Sequence, residues 1–308
     1  MKFVVTGATG FIGRNFVREV VSADHSVVAV CHRGSVNRGV LSGIRNLECV
    51  DADMPEYGTL DKLIGSADAF VHFAWDGIKN TADRDGNVRV QQQNVQNSLA
   101  ALEASKRMGC KLFVFAGSQA EYGLTKEIET ETIPCNPVTE YGVAKLQFKE
   151  KAFEKARSIG LGYAHLRIFS IYGEEDHERT LVKTCLRNML AGEPVSLSAC
   201  TQAWNFLYIQ DAVKQVRLLC ERAVECDGFG QQVFNVASEE NRPLKEFVNI
   251  MKEETGSKSQ LHFGEVAPTN VVNLNPDVSK MKEWTGFIAD NTFREGFRRM
   301  VALSRSNE

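Results

Sequence analysis

The sequence lacks the features typical of membrane, nucleic-acid-binding and zinc proteins. Apolar runs such as residues 112–116 are far shorter than the ~18 residues needed to cross a bilayer. The 36 basic and 39 acidic residues give a formal net charge of −3, so no strong field attracts nucleic acid or a membrane surface. The eight cysteines and six histidines are scattered, without a C-x-x-C pair or a metal-ligand spacing. We expect reduced, buried cysteines and no metal.

Secretion signals and repeats are also missing. The first residues, MKFVVTG, are typical of a strand that enters a glycine turn rather than of a signal peptide, which favours a cytoplasmic location. Neither a fixed-period repeat nor a low-complexity tract occurs. A chain of 308 residues allows one large α/β domain, alone or with a smaller appendage.

Short apolar runs alternate with longer amphipathic stretches in the first half of the chain. Strands are predicted at residues 3–6, 27–31, 47–50, 69–73, 112–116 and 163–168, and helices at 11–21, 88–108 and 141–158. This alternation predicts a parallel sheet covered by helices on both faces. After about residue 174 the rhythm breaks into turns, helices and short strands at 202–209 and 233–236.

A glycine-rich turn follows the first predicted strand and opens the first predicted helix, where residues 6–13 read TGATGFIG. The tight turn needs Gly7, the close approach of a pyrophosphate needs Gly10, and helix–strand packing needs Gly13. The N–H groups at a helix start favour a diphosphate. The pattern predicts a Rossmann-type, doubly wound α/β domain that binds a dinucleotide.

The predicted domains follow from this assignment. Residues 1–173 form the dinucleotide domain, to which residues 206–236 are expected to return. Residues 174–205 and 237–308 form a smaller, mostly C-terminal α/β substrate domain.

The end of the second strand indicates which dinucleotide binds. An acidic residue there would grip the ribose of NAD, but residues 31–35 read CHRGS. Arg33 is a candidate for a bidentate contact with a 2′-phosphate, with Ser35 and Arg38 nearby. The alternative is a solvated arginine in a loop. The sequence therefore favours NADP, with NAD as the alternative.

Three residues form a candidate catalytic group. Tyr141 and Lys145 are four residues apart in a predicted helix and share one face. A nearby cation lowers the pKa of a phenol and makes it a usable acid or base. Ser118 follows a buried strand, where open α/β sheets place their ligand crevice. These residue types suit proton transfer that accompanies hydride movement at a carbonyl or alcohol carbon.

Together, the motifs resemble the extended short-chain dehydrogenase/reductase family, in its nucleotide-sugar epimerase, dehydratase and reductase branch. The resemblance runs nearly end to end and implies that Ser118, Tyr141 and Lys145 form a catalytic triad. Besides Arg33, Tyr141 and Lys145, it implies cofactor contacts from Gly7, Thr9, Gly10, Phe11, Ile12, Gly13, Asp53, Met54, Phe73, Ala74, Trp75, Asn94 and Ile168. It also implies a nucleotide-sugar substrate, and we expect a homodimer.

Several positions depart from the family pattern. Family dehydratases carry an Asp-Glu pair where Gln119 and Ala120 stand, which disfavours dehydration. Ser170 replaces the usual asparagine and Trp204 the usual arginine, both near the bound sugar nucleotide. Residues 269–280 offer no clear second phosphate-binding arginine.

A basic stretch offers replacement cations. Arg179, Lys183 and Arg187 are candidates for contacting a diphosphate, and the alternative is a solvated helix face. The polar residues 76–89 are expected to cover the mouth of the site or to form a surface loop. The predicted substrate-binding residues are Trp75, Ser118, Gln119, Ala120, Tyr141, Ser170, Arg179, Lys183 and Trp204.

Three functions fit these residues. The first is reduction of a 4-keto (6-deoxy)hexose nucleotide with Tyr141 as general acid, which an NADP-type site at Arg33 would favour. The second is a nucleotide-sugar 4-epimerase that holds NAD. The third is a non-catalytic dinucleotide sensor, which would have no need of a proton donor.

Overall fold

A computed structural model describes residues 1–77, 87–267 and 272–306. Its largest element is a sheet of seven strands, all parallel to their neighbours. Numbered along the chain, these are β1 (Lys2–Thr6), β2 (Ser26–Cys31), β3 (Leu47–Asp51), β4 (Ala69–His72), β5 (Leu112–Ser118), β6 (Gly162–Ile168) and β10 (Gln231–Val236). Their spatial order is β3, β2, β1, β4, β5, β6, β10, so the direction of winding reverses between β1 and β4. The predicted Rossmann-type fold is confirmed.

Helices cover both faces of this sheet. The helices of the described residues, including those that pack elsewhere, are α1 (Phe11–Ser22), α2 (Leu60–Ile64), α3 (Val88–Arg107), α4 (Glu140–Ser158), α5 (Leu181–Leu190), α6 (Ile209–Glu225), α7 (Leu244–Thr255), α8 (Ser279–Thr285) and α9 (Phe293–Ser306). Alternate residues of β1 point to opposite faces. Phe3 packs in one core with Phe16 of α1, and Val4 packs in the other with Leu102 of α3 and Phe148 of α4.

The predicted elements match the observed ones to within about two residues. The strand predicted at 112–116 continues to Ser118, because β5 keeps its pairing with β6 up to Ser118 opposite Ile168. All of β5 is buried, as its unbroken apolar sequence suggests. The strand predicted at 69–73 ends one residue earlier, at His72. Ser118 therefore lies at the carboxyl edge of the sheet, beside the crevice where the winding reverses.

Smaller sheets follow β6. The strands β7 (Ser170–Tyr172), β9 (Ala203–Tyr208) and β11 (Asn241–Pro243) form one sheet, and β8 (Val195–Leu197) pairs with β12 (Leu261–Phe263). After β9 the chain forms α6, which packs against α1, and then β10, which pairs with β6. The boundaries of the two predicted domains stay a prediction.

No helix of the described residues combines the length and the apolar character that a bilayer crossing requires. Within the same residues, no cluster of three or more His, Cys, Asp or Glu side chains is arranged to hold a metal ion.

Candidate active site

The glycine turn between β1 and α1 is imposed by close packing at two of its three glycines. Gly7 has a φ of +66°, and a Cβ there would lie 2.8 Å from the Ala74 backbone nitrogen. A Cβ on Gly13 would collide with the Gly7 backbone, at 2.8 Å from its carbonyl carbon. Both positions therefore require glycine for the chain to fold in this way.

Gly10 is under a weaker constraint from the protein itself. A Cβ there would meet only the Gly7 carbonyl oxygen, at 3.2 Å. Gly10 is the N-cap of α1, and no side chain of the described residues caps this helix start. Its first N–H groups are thus available to an anion, and a glycine at this point lets a diphosphate approach the backbone. The turn fits a dinucleotide.

The end of the second strand carries Arg33, the candidate for a contact with a 2′-phosphate. Arg33 forms an ion pair with Glu56 and lies 3.7 Å from Asp53, while its backbone N–H donates to Asp53 at 2.9 Å. The hydrogen bond to Arg33 holds the pKa of Glu56 below its usual range. Arg38 is likewise paired with Asp51. A 2′-phosphate would have to displace a carboxylate from Arg33.

The remaining predicted adenosine-side residues lie around this edge. Thr9 Oγ1 is 3.3 Å from Ser35 Oγ. Met54 is buried at the start of a short helical turn, and Asp53 and Glu56 cap that turn reciprocally. Phe11 and Ile12 lie in the first turn of α1 and pack against the core. Asp53 and Glu56 have the S/T/D-x-x-E spacing of a capping box, which is visible in the sequence at residues 53–56.

Asn94 holds the loop after β4. Its side-chain amide donates to the Asp76 carbonyl at 3.0 Å and accepts from the Asp76 N–H at 3.1 Å. The backbone of Phe73 and Ala74 is hydrogen-bonded to Thr6, through its carbonyl and its hydroxyl. The predicted cofactor-lining residues are therefore fixed against β1 and α3. Most of the polar stretch at 76–89, residues 78–86, lies outside the described residues.

A buried polar chain lies beneath this loop. Thr6 Oγ1 is 2.6 Å from His72 Nδ1, and His72 Nε2 is 2.8 Å from Ser98 Oγ. Burial lowers the pKa of His72 to about 3, so the ring is neutral. His72 stands in an apolar strand, and sequence reasoning did not identify its role.

Tyr141 and Lys145 lie one turn apart at the start of α4. Thr139 caps this helix by accepting from the Gly142 N–H at 3.1 Å. Lys145 is buried, and its Nζ donates to the Ala116 carbonyl of β5 at 2.6 Å. Burial lowers the pKa of Lys145 to about 7. The Lys145 ammonium lies 5.4 Å from the centre of the Tyr141 ring.

Trp75 covers the other side of this ammonium. The centre of its ring lies 3.8 Å from Lys145 Nζ, within the range of a cation–π interaction. The Trp75 ring is also perpendicular to the Tyr141 ring, at 6.3 Å between centroids. Its indole N–H donates to Gln91 at 2.8 Å. The structure thus places Trp75 against Lys145. The predicted contact of Trp75 with cofactor or substrate stays a prediction.

Ser118 faces the same end of the sheet. Its Oγ accepts from the Ala120 N–H at 3.1 Å, which leaves its own hydrogen for another partner. Gln119 and Ala120 form the short helical turn that follows. Ile168, the residue opposite Ser118 on β6, is partly buried.

The predicted substrate residues in the second half of the chain lie on several different elements. Ser170 is the half-buried first residue of β7. Lys183 pairs with Glu178 at 3.0 Å and Arg179 is exposed. Trp204 packs on Phe206 with ring centres 6.2 Å apart, and its buried indole N–H has no hydrogen-bond partner among the described residues.

Arg187 and the late basic candidates complete the list. Arg187 is exposed and donates to the Glu178 carbonyl at 3.4 Å. The stretch 269–280 offers no clear second phosphate-binding arginine, and its residues 269–271 lie outside the described residues. Lys183 and Arg187 therefore both contact Glu178, in the segment before α5. The contact of the three cations with a diphosphate stays a prediction.

Comparison with known proteins extends this description to the whole chain. Residues 3–237 match the model of the NAD dependent epimerase/dehydratase family. The chain is 24% identical to an uncharacterized UDP-glucose epimerase of Bacillus subtilis, over 99% of this chain and 98% of that protein. It is 26% identical to a dTDP-6-deoxy-L-talose 4-dehydrogenase (NAD(+)) of Aggregatibacter actinomycetemcomitans, over 80% and 87%.

A solved structure shares the fold over its full length. The UDP-glucose 4-epimerase of Thermotoga maritima, determined with UDP-glucose, superimposes with a TM-score of 0.86 at 25% identity, covering 100% of this chain and 99% of that one. The match of the family model extends over most of the chain and includes the glycine turn and residues Ser118, Tyr141 and Lys145. The protein belongs to the NAD dependent epimerase/dehydratase family.

Proposed function

We propose that the protein is a nucleotide-sugar 4-epimerase that uses NAD. The observation that carries the proposal is the grouping of Ser118 with the Tyr141 and Lys145 helix at the crevice, followed by a turn without a usable acid or base. Gln119 and Ala120 carry no titratable group. The next carboxylate, Glu121, is buried and bonded to His165. This site suits oxidation and reduction at one carbon and does not suit elimination of water.

Three side chains carry the proposed reaction. Tyr141 Oη takes up the proton of the sugar 4-hydroxyl and later returns it to the 4-oxygen. The Lys145 ammonium favours the phenolate during that exchange. Ser118 Oγ donates a hydrogen bond to the reacting oxygen. When bound, the nicotinamide supplies the acceptor and the donor of the hydride at C4 of the sugar.

NAD, rather than NADP, is the cofactor of this proposal. Glu56 and Asp53 surround the Arg33 guanidinium, and their charges would repel a 2′-phosphate. An epimerase ends at the redox state in which it began and needs no reduced cofactor pool. The similarity of nearly the whole chain to proteins named UDP-glucose epimerase supports the same proposal.

The test is conversion without added cofactor. Purified protein is incubated with UDP-galactose, UDP-glucose, UDP-N-acetylglucosamine and dTDP-glucose, and the 4-epimers are detected by proton NMR. We expect at least one sugar nucleotide to be interconverted, and acid extraction of the protein to release a stoichiometric amount of NAD. Formation of no 4-epimer from this panel would count against the proposal.

Reduction of a 4-keto sugar nucleotide is the second candidate. The similarity to a protein named as a 4-dehydrogenase of a 6-deoxyhexose nucleotide favours it. To bind NADPH in this reaction, Arg33 would have to release Glu56. We expect a homodimer for both candidate functions. Consumption of NADPH or NADH with a 4-keto-6-deoxyhexose nucleotide, without any epimerase activity, would establish this candidate in place of the first.

A further inference from the structure

A fully buried carboxylate lies directly beneath the turn that carries Ser118. It belongs to Glu121, at the end of the turn Gln119–Glu121. It accepts hydrogen bonds from the Ser118 backbone N–H at 2.8 Å, from His165 Nε2 at 2.9 Å and from Arg167 Nε at 3.2 Å. Removing a carboxylate from water is costly unless it is paired in this way. The reaction proposed above makes no direct use of this group.

The hydrogen bonds around Glu121 define its charge. The Tyr163 hydroxyl lies 2.8 Å from His165 Nδ1, and it donates because burial raises its pKa well above the usual value. The imidazole proton is therefore assigned to Nε2, facing Glu121. Burial lowers the pKa of His165, so the ring is neutral. Burial alone would raise the pKa of Glu121, but His165, Arg167 and the Ser118 N–H lower it, and the carboxylate is ionised at neutral pH.

The same strand end also holds Lys145. Its Nζ donates to the Ala116 carbonyl at 2.6 Å and lies 4.5 Å from the centre of the Phe115 ring. Phe115 and Gly117 are two residues apart and point to the same face of the strand. On that face, a Cβ on Gly117 would lie 2.6 Å from Glu121 Oε1. Lys145 binds the Ala116 carbonyl and Glu121 binds the Ser118 N–H. Only Gly117 separates these two residues, so the two charges act on one short segment.

The titratable groups that face Lys145 come from several elements. Tyr141 lies on the same helix, His72 on β4, His165 on β6, and Glu121 in the turn after β5. Burial lowers the pKa of both histidines, so neither carries charge at neutral pH. Burial also lowers the pKa of Lys145, to about 7, and the charge of Glu121 acts in the opposite direction.

We propose that Glu121 is a positioning residue of this site, which fixes the backbone of Ser118 and keeps Lys145 in its ammonium form. An apolar side chain would fill the same space at a lower cost of desolvation. The presence of a charged side chain at position 121 therefore indicates a role other than packing. The proposal rests on the function proposed above for the roles of Ser118 and Lys145, but its first test needs no substrate.

The first test is a titration of Lys145 by NMR, in protein labelled with 13Cε-lysine and with the signal assigned by Lys145→Arg. In the parent protein we expect a midpoint at about pH 7. Glu121→Gln keeps the size of the side chain and removes its charge, so the midpoint should fall by about one pH unit. Glu129→Gln is the matched control, because it removes a buried carboxylate that bonds the Asn275 backbone instead of Ser118. Equal midpoints in the parent and Glu121→Gln would overturn the proposal.

A second variant separates charge from position and serves if Glu121→Gln does not fold. Glu121→Asp keeps the charge on a side chain that is one methylene shorter, so the midpoint pH of the Lys145 titration should not change. Amide exchange at Ser118 should be about tenfold faster because its hydrogen bond is lost. Turnover should fall by a similar factor with KM for the sugar nucleotide nearly unchanged. Parent-like exchange and turnover in this variant would contradict the proposal, whereas absence of epimerase activity from the parent would contradict only the proposed function.

Discussion

Gly142 of α4 packs against Ala120 so closely that a Cβ on Gly142 would lie 2.5 Å from the Ala120 carbonyl oxygen. This contact brings the first turn of α4 against the turn that follows Ser118. Tyr141 precedes Gly142 in the chain, and Ser118 precedes Ala120 by two residues. A small residue at position 142 is therefore what allows the phenol and the serine hydroxyl to serve one crevice.

Tyr141→Phe should lower turnover by about 10² to 10⁴-fold, because it removes only the group that transfers the proton. The ring, its packing on Trp75 and the helix stay in place. Affinity for the dinucleotide, measured by calorimetry, should change little. Tyr57→Phe is the control, since it removes the hydroxyl of a buried tyrosine whose ring packs on His72. Near-normal turnover in Tyr141→Phe would exclude Tyr141 as the acid and base.

Trp75→Leu should weaken dinucleotide binding and turnover together by roughly 5 to 30-fold, the equivalent of about 1 to 2 kcal/mol for a desolvated cation–π contact. The reason is that Lys145 loses the aromatic face that lies 3.8 Å from its ammonium. Trp284→Leu is the matched control, because Trp284 packs on Phe229 and Phe234 instead. If both variants lose only thermal stability, Trp75 has no role beyond packing.

Glu56→Gln should raise affinity for NADPH by roughly tenfold or more relative to NADH. It frees the Arg33 guanidinium from its carboxylate partner, and a charge-assisted phosphate contact is worth about 1.5 to 3 kcal/mol. The parent protein should bind NADH more tightly than NADPH. Dissociation constants are measured by fluorescence titration, with the exposed Glu48→Gln as control. A parent protein that prefers NADPH would restore the cofactor choice indicated by the sequence.

Relative to the parent, Glu129→Gln should gain about 3 to 4 kcal/mol of unfolding free energy between acid and alkaline pH. Glu129 is buried, one of its oxygens has no partner among the described residues, and burial raises its pKa to about 7. A glutamate in the unfolded chain has a pKa of about 4.3. Between that pH and pH 7 the folded state binds more protons than the unfolded state, so the free energy of unfolding falls as the pH rises. Urea unfolding from pH 4 to pH 8, with the exposed Glu154→Gln as control, measures the effect. Parallel curves for Glu129→Gln and the parent would contradict it.

The sheet and the placement of Tyr141 and Lys145 on one helix were predictable because both depend on local patterns. The strands are apolar along their length, and the spacing of Gly7, Gly10 and Gly13 defines the first turn. Tyr141 and Lys145 share a face simply because they are four residues apart in a helix. The end of β5 was predicted two residues early because Gly117 and Ser118 do not favour strands, although their pairing with β6 continues.

The partners of the charged residues could not be predicted in this way. Glu56 is 23 positions from Arg33, and His165 is 44 positions from Glu121. No local periodicity reports such contacts, so the preference for NADP was inferred without the carboxylates that lie around Arg33. One of these contacts, between Glu121 and the Ser118 backbone, is indicated by the sequence. Ser118 and Glu121 have the spacing of a capping box, and the structure contains that capping box.

The unequal constraints on the three glycines have a practical consequence. Because the fold tolerates a Cβ at position 10 better than at positions 7 and 13, Gly10→Ala should be as stable to unfolding as the parent. It should nevertheless be purified without dinucleotide. Substitution of Gly7 or Gly13 could not give such a protein, since the packing of the turn would be lost. Enzymes that retain their cofactor through purification are hard to obtain empty. A folded, empty form of this chain would serve as the reference state for measuring how fast the cofactor exchanges.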